Sequence, residues 1–166
     1  MSDDVEILLL LAAEAVGRHM TPLPEVFAQC CPGARVWATA DADMALRYLM
    51  ARGEFAGRDD RSQPELVILQ AAPATDGALA LLAAIKDYPG TCAVPVVVVT
   101  PHPGNETLRQ YYAAGVNSVV ADTGDLGSMV KAIGTLHAFW TRVNETLYFH
   151  PEPGSSHGPA LPGCER

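Results

Sequence analysis

Gln70, Thr100 and Asp122 stand where chemistry would be done, because each ends or directly follows an apolar run, at 64–70, 94–100 and 118–121. In sheets of parallel strands, ligands and reacting groups gather beyond the carboxyl ends of the strands. The residue types there allow little. Gln70 carries an amide, which donates and accepts hydrogen bonds but has no anionic oxygen to act as a nucleophile. Thr100 offers a hydroxyl, and Asp122 a negative charge that repels an anionic substrate instead of relieving its charge. A further run, 5–11, ends in Leu11 and continues to Ala12. Neither has a side-chain oxygen for a hard cation such as Mg²⁺. His19, His102, His137, His150 and His157 show no close metal spacing. The four cysteines form no CxxC pair, and Cys30 and Cys31 are adjacent, too close for an ordinary disulfide. The expectation is a chain without metal or cofactor, and not an enzyme.

The elements that must position these residues alternate in kind. Val5 to Leu11 is an unbroken apolar run suited to a strand buried on both faces, and Arg35 to Ala40 is a more polar second one. Pro64 to Gln70, Val94 to Thr100 and Ser118 to Ala121 supply three more. Helical spacing fills the gaps. A weak helix is expected over about 13–30, broken by Pro22 and Pro24, and a second over 41–52 with Asp41 as its N-cap. A third runs from Asp76 to Tyr88, and a fourth starts at Asn105 as cap and ends at Gly115. The fifth is the longest: Leu126, Met129, Val130, Ile133, Leu136, Trp140, Val143 and Leu147 form one apolar stripe. Strands alternating with helices through short turns imply a doubly wound α/β domain, a parallel sheet covered on both faces. Residues 1–149 form that domain. Residues 150–166, rich in Pro, Gly and Ser, read as a flexible tail.

Composition narrows the class. Of 166 residues 49% are apolar, enough to build one core. Nineteen acidic against eleven basic residues leave a net charge of −8, and the basic ones are scattered, which disfavours nucleic acid and anionic lipid as partners. The acidic start and the short first apolar run fit neither a signal peptide nor a membrane span, so a cytoplasmic location is expected.

Read in order, Val5-Glu6-Ile7-Leu8-Leu9, Arg47 to Gly53, Pro64 to Leu69, Asp76-Gly77, Ile85-Lys86, Val94 to Thr100 and Ala114-Gly115-Val116-Asn117 resemble a response-regulator receiver domain. Phe139-Trp140 followed by Val143-Asn144-Glu145 is similar to the ending of the single-domain subgroup associated with bacterial phytochrome kinases. The resemblance covers about 5–147. It implies a flavodoxin-like sheet of five parallel strands in the order 2-1-3-4-5, with an extended last helix. It also implies phosphotransfer residues that this chain replaces. The metal-binding acidic pair falls on Leu11 and Ala12, the phosphoacceptor aspartate on Gln70 and the lysine on Asp122. The switch aromatic falls on Val119, and only the switch hydroxyl, Thr100, is kept.

Two readings of Gln70 and Asp122 stay open: a permanent hydrogen-bond network that fixes one conformation without phosphate, or drift after the chemistry was lost. For Thr100 a bond to nearby backbone is favoured over a switch role. Tyr111, Tyr112, Phe139 and Trp140, with Val119, are the candidate association surface, because amphipathic aromatics dominate interface energetics, with half of the aromatics expected in the core. The function expected is a phosphorylation-independent receiver acting as a protein-interaction module in two-component signalling. Its partners would be a second copy of itself and a sensor histidine kinase or another regulator. The rival reading is small-molecule sensing in a pocket lined by Leu11, Ala12, Ala71 and Ala72.

Overall fold

The computed structural model describes residues 5–11, 20–58, 63–73 and 75–145. Strands β1 (Glu6–Leu11), β2 (Arg35–Thr39), β3 (Leu66–Gln70), β4 (Val96–Pro101) and β5 (Ser118–Asp122) alternate with helices α1 (Leu23–Cys30), α2 (Ala42–Leu49), α3 (Asp76–Asp87), α4 (Asn105–Ala113) and α5 (Leu126–Ala138). The strands form one parallel sheet in the order β2-β1-β3-β4-β5. This is the doubly wound order expected above. It puts Leu11, Gln70 and Val99 side by side in register, and Pro101 beside Asp122.

Both faces of the sheet are buried, which is why β1, β3 and β4 read as continuous apolar runs. Ile7, Leu9, Leu66, Ile68, Val97 and Val99 face Leu23, Val26 and Phe27 of α1 and Met129 and Ile133 of α5. Leu8, Leu10, Val67, Leu69, Val96 and Val98 face α2, α3 and α4. Each such side chain contributes about 1.5–3 kcal/mol on burial, so the sheet and its helices do not depend on any single polar contact. β5 is an edge strand whose residues 118–121 are partly exposed.

Asp41 caps α2, accepting from Met44 N at 3.0 Å. Other ends differ from expectation, and α2 itself stops at Leu49 instead of reaching Arg52. α1 starts only at Leu23, because Pro22 is its N-cap and Pro24 lies in its first turn; residues 12–19, where an earlier start was expected, lie outside the described residues. Gly104, not Asn105, is the cap of α4 and makes no side-chain bond there. The final helix is not continuous either. α5 stops at Ala138 and passes into a π-helical turn, Phe139–Val143, and the chain becomes extended at Asn144. Leu147 and the tail lie outside the described residues.

The amino end of the sheet is tied by ordinary means. Glu6 accepts hydrogen bonds from the Tyr48 hydroxyl and from Arg58, and pairs with Arg35 at 3.2 Å. Trp37 stacks on Tyr48 at 4.2 Å, and Phe55 meets both rings edge-on, so the irregular stretch after α2 is fastened to β2. Burial and the Glu6 bond push the Tyr48 hydroxyl up to about 12. On the same end, Lys86 Nζ donates to Val94 O (2.7 Å), Asn117 Oδ1 (2.8 Å) and Cys92 O (3.3 Å). Burial pushes the Lys86 ammonium down to about 8.

Candidate functional site at the carboxyl end of the sheet

The site is made by a loop residue that the sequence did not single out. Thr21 precedes Pro22, and a residue before proline is confined to extended backbone, so its amide and hydroxyl cannot join the first turn of α1. Both turn to Asp122 instead. Thr21 N donates to Asp122 Oδ2 at 2.8 Å and Thr21 Oγ1 to Asp122 Oδ1 at 2.6 Å. From the other side Gln70 Nε2 donates to the Thr21 carbonyl at 2.7 Å. Gly124, with φ 73°, brings its N–H to Asp122 Oδ1 at 2.9 Å, a turn that a residue with a Cβ would adopt only at a cost.

Thr21 therefore bridges the end of β3 to the end of β5, across the width of β4. Thr21, Gln70 and Asp122 are all buried, at 3%, 5% and 3% exposure. Asp122 receives three hydrogen bonds, all from neutral donors, and among the described residues no cation pairs with it. Hydrogen bonds to a buried charge contribute about 1.5–3 kcal/mol each. The Gln70–Thr21–Asp122 latch is thus strong enough to fix where Thr21 and the start of α1 lie, although it is small beside the apolar core.

Of the expected site residues, Gln70, Thr100 and Asp122 come together at this end. Thr100 is fully buried and its Oγ1 has no hydrogen-bond partner among the described residues. The expected bond to nearby backbone is absent there. In the strand register Thr100 pairs with Ala121, whereas Gln70 pairs with Val99 and Asp122 with Pro101, so its side chain lies on the opposite face of the sheet from theirs. Leu11 is described only as the last residue of β1, and Ala12 lies outside the described residues. Ala71 and Ala72 are buried at the end of β3.

The candidate association surface separates into two groups. Tyr111 does not belong to it: it is 0% exposed and its hydroxyl donates to Ala72 O at 3.1 Å. It pins α4 to the loop after β3, next to the latch. Its neighbour Tyr112, about 100° round the helix, is 52% exposed. Phe139 is 47% exposed and Val143 69%, whereas Trp140 packs partly buried against the α1–α5 core. Val119 lies half-buried on the edge strand and packs on the opposite core. The missed residues are Thr21, for which the Thr-Pro-Leu-Pro spelling at 21–24 was the available signal, and Gly124.

No protein-family model matches the sequence. The chain is 28% identical over 101 residues to response regulator Rcp1 of Synechocystis, a match that spans 60% of this chain and 66% of that protein. Among solved structures, the phosphorylated cyanobacterial phytochrome response regulator RcpA superposes with a TM-score of 0.69 at 25% identity, covering 86% of this chain and 98% of that one. The Mn²⁺-bound form of Rcp1 superposes with a TM-score of 0.66 at 24% identity, with the same coverage of both chains.

Proposed function

Because the chain is homologous to Rcp1 and to phytochrome response regulators, we propose that it is a receiver of two-component signalling that works without phosphorylation, as a protein-interaction module. The observation that supports this most is the latch: Thr21 is bonded between Gln70 and Asp122, where a receiver would bind a phosphoryl group. The chemistry agrees. Gln70 has no anionic oxygen to attack phosphorus. Asp122 adds negative charge where the transferred group needs a cation, and both of its carboxylate oxygens are already engaged by Thr21 and Gly124. These residues do not fit a divalent cation, and in sequence Leu11 and Ala12 contribute no ligand. We place the interaction domain at 1–149 and the tail at 150–166, in the cytoplasm; among the described residues no helix is long and apolar enough to cross a membrane. A second copy and a sensor kinase or another regulator are the proposed partners. Tyr112 and Phe139 are the exposed aromatics that would meet them.

Acetyl phosphate with Mg²⁺ followed by intact mass measurement tests this reading, with an unmodified chain as the expected result. Gln70→Asp alone should also stay unmodified, since Asp122 and Thr21 still occupy the site. A stable phosphoryl adduct on the native chain would overturn the proposal. Small-molecule sensing in the same place is not favoured, because Thr21 already bonds to both Gln70 and Asp122 there.

A further inference from the structure

Cys30 and Cys31 lie at the opposite end of α1 from the latch. Cys30 ends the helix and Cys31 is its C-cap, donating its backbone N–H to Phe27 O at 2.8 Å. Both thiols are free, and their sulfurs are 3.3 Å apart. Cys30 is half-buried and reachable, and Cys31 is 5% exposed. Helix α5 closes the other side: a Cβ added to Gly134 would lie 3.4 Å from Cys30 Cβ. Burial and the neighbouring thiol push Cys31 up to about 12, with Arg142 acting weakly the other way, so it stays protonated at neutral pH.

A disulfide suits this pair poorly. It needs sulfurs at about 2.04 Å and Cα atoms at least about 4.4 Å apart, whereas adjacent Cα atoms are held at about 3.8 Å. Tetrahedral zinc needs four ligands, and among the described residues no group of three His, Cys, Asp or Glu could hold a metal. A soft, pyramidal atom is different. Two sulfurs bound at about 2.3 Å to one centre, with an angle of about 90–95°, lie about 3.3 Å apart, which matches the observed separation.

We propose that Cys30 and Cys31 form a vicinal dithiol site for a trivalent arsenical, bound through both sulfurs. The step balances without an oxidant. In R–As(OH)₂ each hydroxide leaves as water with one thiol proton, two As–S bonds replace two As–O bonds, and arsenic stays trivalent. Cys30 reacts first, because it is the reachable thiol. Cys31 then closes the ring as an intramolecular step, in which proximity offsets its scarce thiolate.

Phenylarsine oxide added to the native protein, followed by intact mass and peptide mapping, tests the site. One phenylarsenic per chain is expected, with loss of both thiol protons. It should protect Cys30 and Cys31 together from alkylation, withstand excess glutathione and be removed by 2,3-dimercaptopropanol. Cys30→Ser and Cys31→Ser should each abolish the glutathione-resistant adduct while circular dichroism shows an intact fold. The proposal is overturned if the native chain takes up no arsenical, or if alkylation mapping places the adduct on other cysteines. Persistence of the resistant adduct in either serine variant also overturns it.

Discussion

At the carboxyl end of the sheet a buried acid, Asp122, is held by neutral donors, and at the amino end a largely buried base, Lys86, is held by neutral acceptors. Neither has an opposite charge beside it among the described residues. What the two groups fasten is different. Lys86 ties the end of α3 to the entries of β4 and β5, segments that β4–β5 pairing already holds together. Asp122 reaches Thr21, 101 residues away in sequence, and with Gln70 it decides where Thr21 and the start of α1 lie. A buried charge without a counter-charge can thus reinforce a position the core already fixes, or select one that the core leaves free. The carboxyl end of this sheet is of the second kind.

The sharpest way to break this comparison is Asp122→Ala, which leaves two Thr21 donors and the Gly124 N–H without their acceptor. It should cost about 2–3 kcal/mol in chemical denaturation, and a cost under half a kcal/mol would put the latch on a level with a surface contact. Thr21→Val removes only the hydroxyl and keeps the backbone bond, so about 1.5 kcal/mol is expected by the same measurement. Thr100→Val should change stability with the opposite sign. It deletes a buried hydroxyl that has no partner among the described residues, for a gain of up to about 1 kcal/mol. A loss there would show that the hydroxyl is bonded in solution.

A further effect concerns the amino end and is read in pH. An ordinary lysine titrates at 10.5, and Lys86 in the folded chain at about 8. As pH falls through that window the unfolded chain takes up the proton first. Stability present above 10.5 is therefore lost on the way down to 8. The difference in stability between the natural chain and Lys86→Met should fall across this range as pH is lowered, and parallel curves would contradict the burial of Lys86.

Much of the fold was legible because strands buried on both faces spell themselves as Ile7 to Leu11, Leu66 to Leu69 and Val96 to Val99. Helix α2 announced its cap at Asp41. The positions of Gln70, Thr100 and Asp122 followed from where those runs end. The latch was not legible, since Thr21 is local in sequence to none of its partners and only the tertiary fold brings them within 3 Å. That half of the four aromatics belong to the core was legible, but which half was not: neighbours on a helix point about 100° apart, and of Tyr111 and Tyr112 it is Tyr111 that turns inward. The π-helical turn at Phe139–Val143 leaves no mark in an apolar stripe, because the spacing changes by only one residue.

The central claim is that Thr21, Gln70 and Asp122 close the carboxyl end of the sheet with hydrogen bonds. Site-resolved amide hydrogen exchange of Thr21 tests it most directly. In the natural chain its N–H should exchange nearly as slowly as Leu69 in β3, and Asp122→Asn should speed it by at least tenfold while Leu69 stays slow. An amide at Thr21 that exchanges at the rate of an open loop, or one unmoved by Asp122→Asn, would contradict the latch.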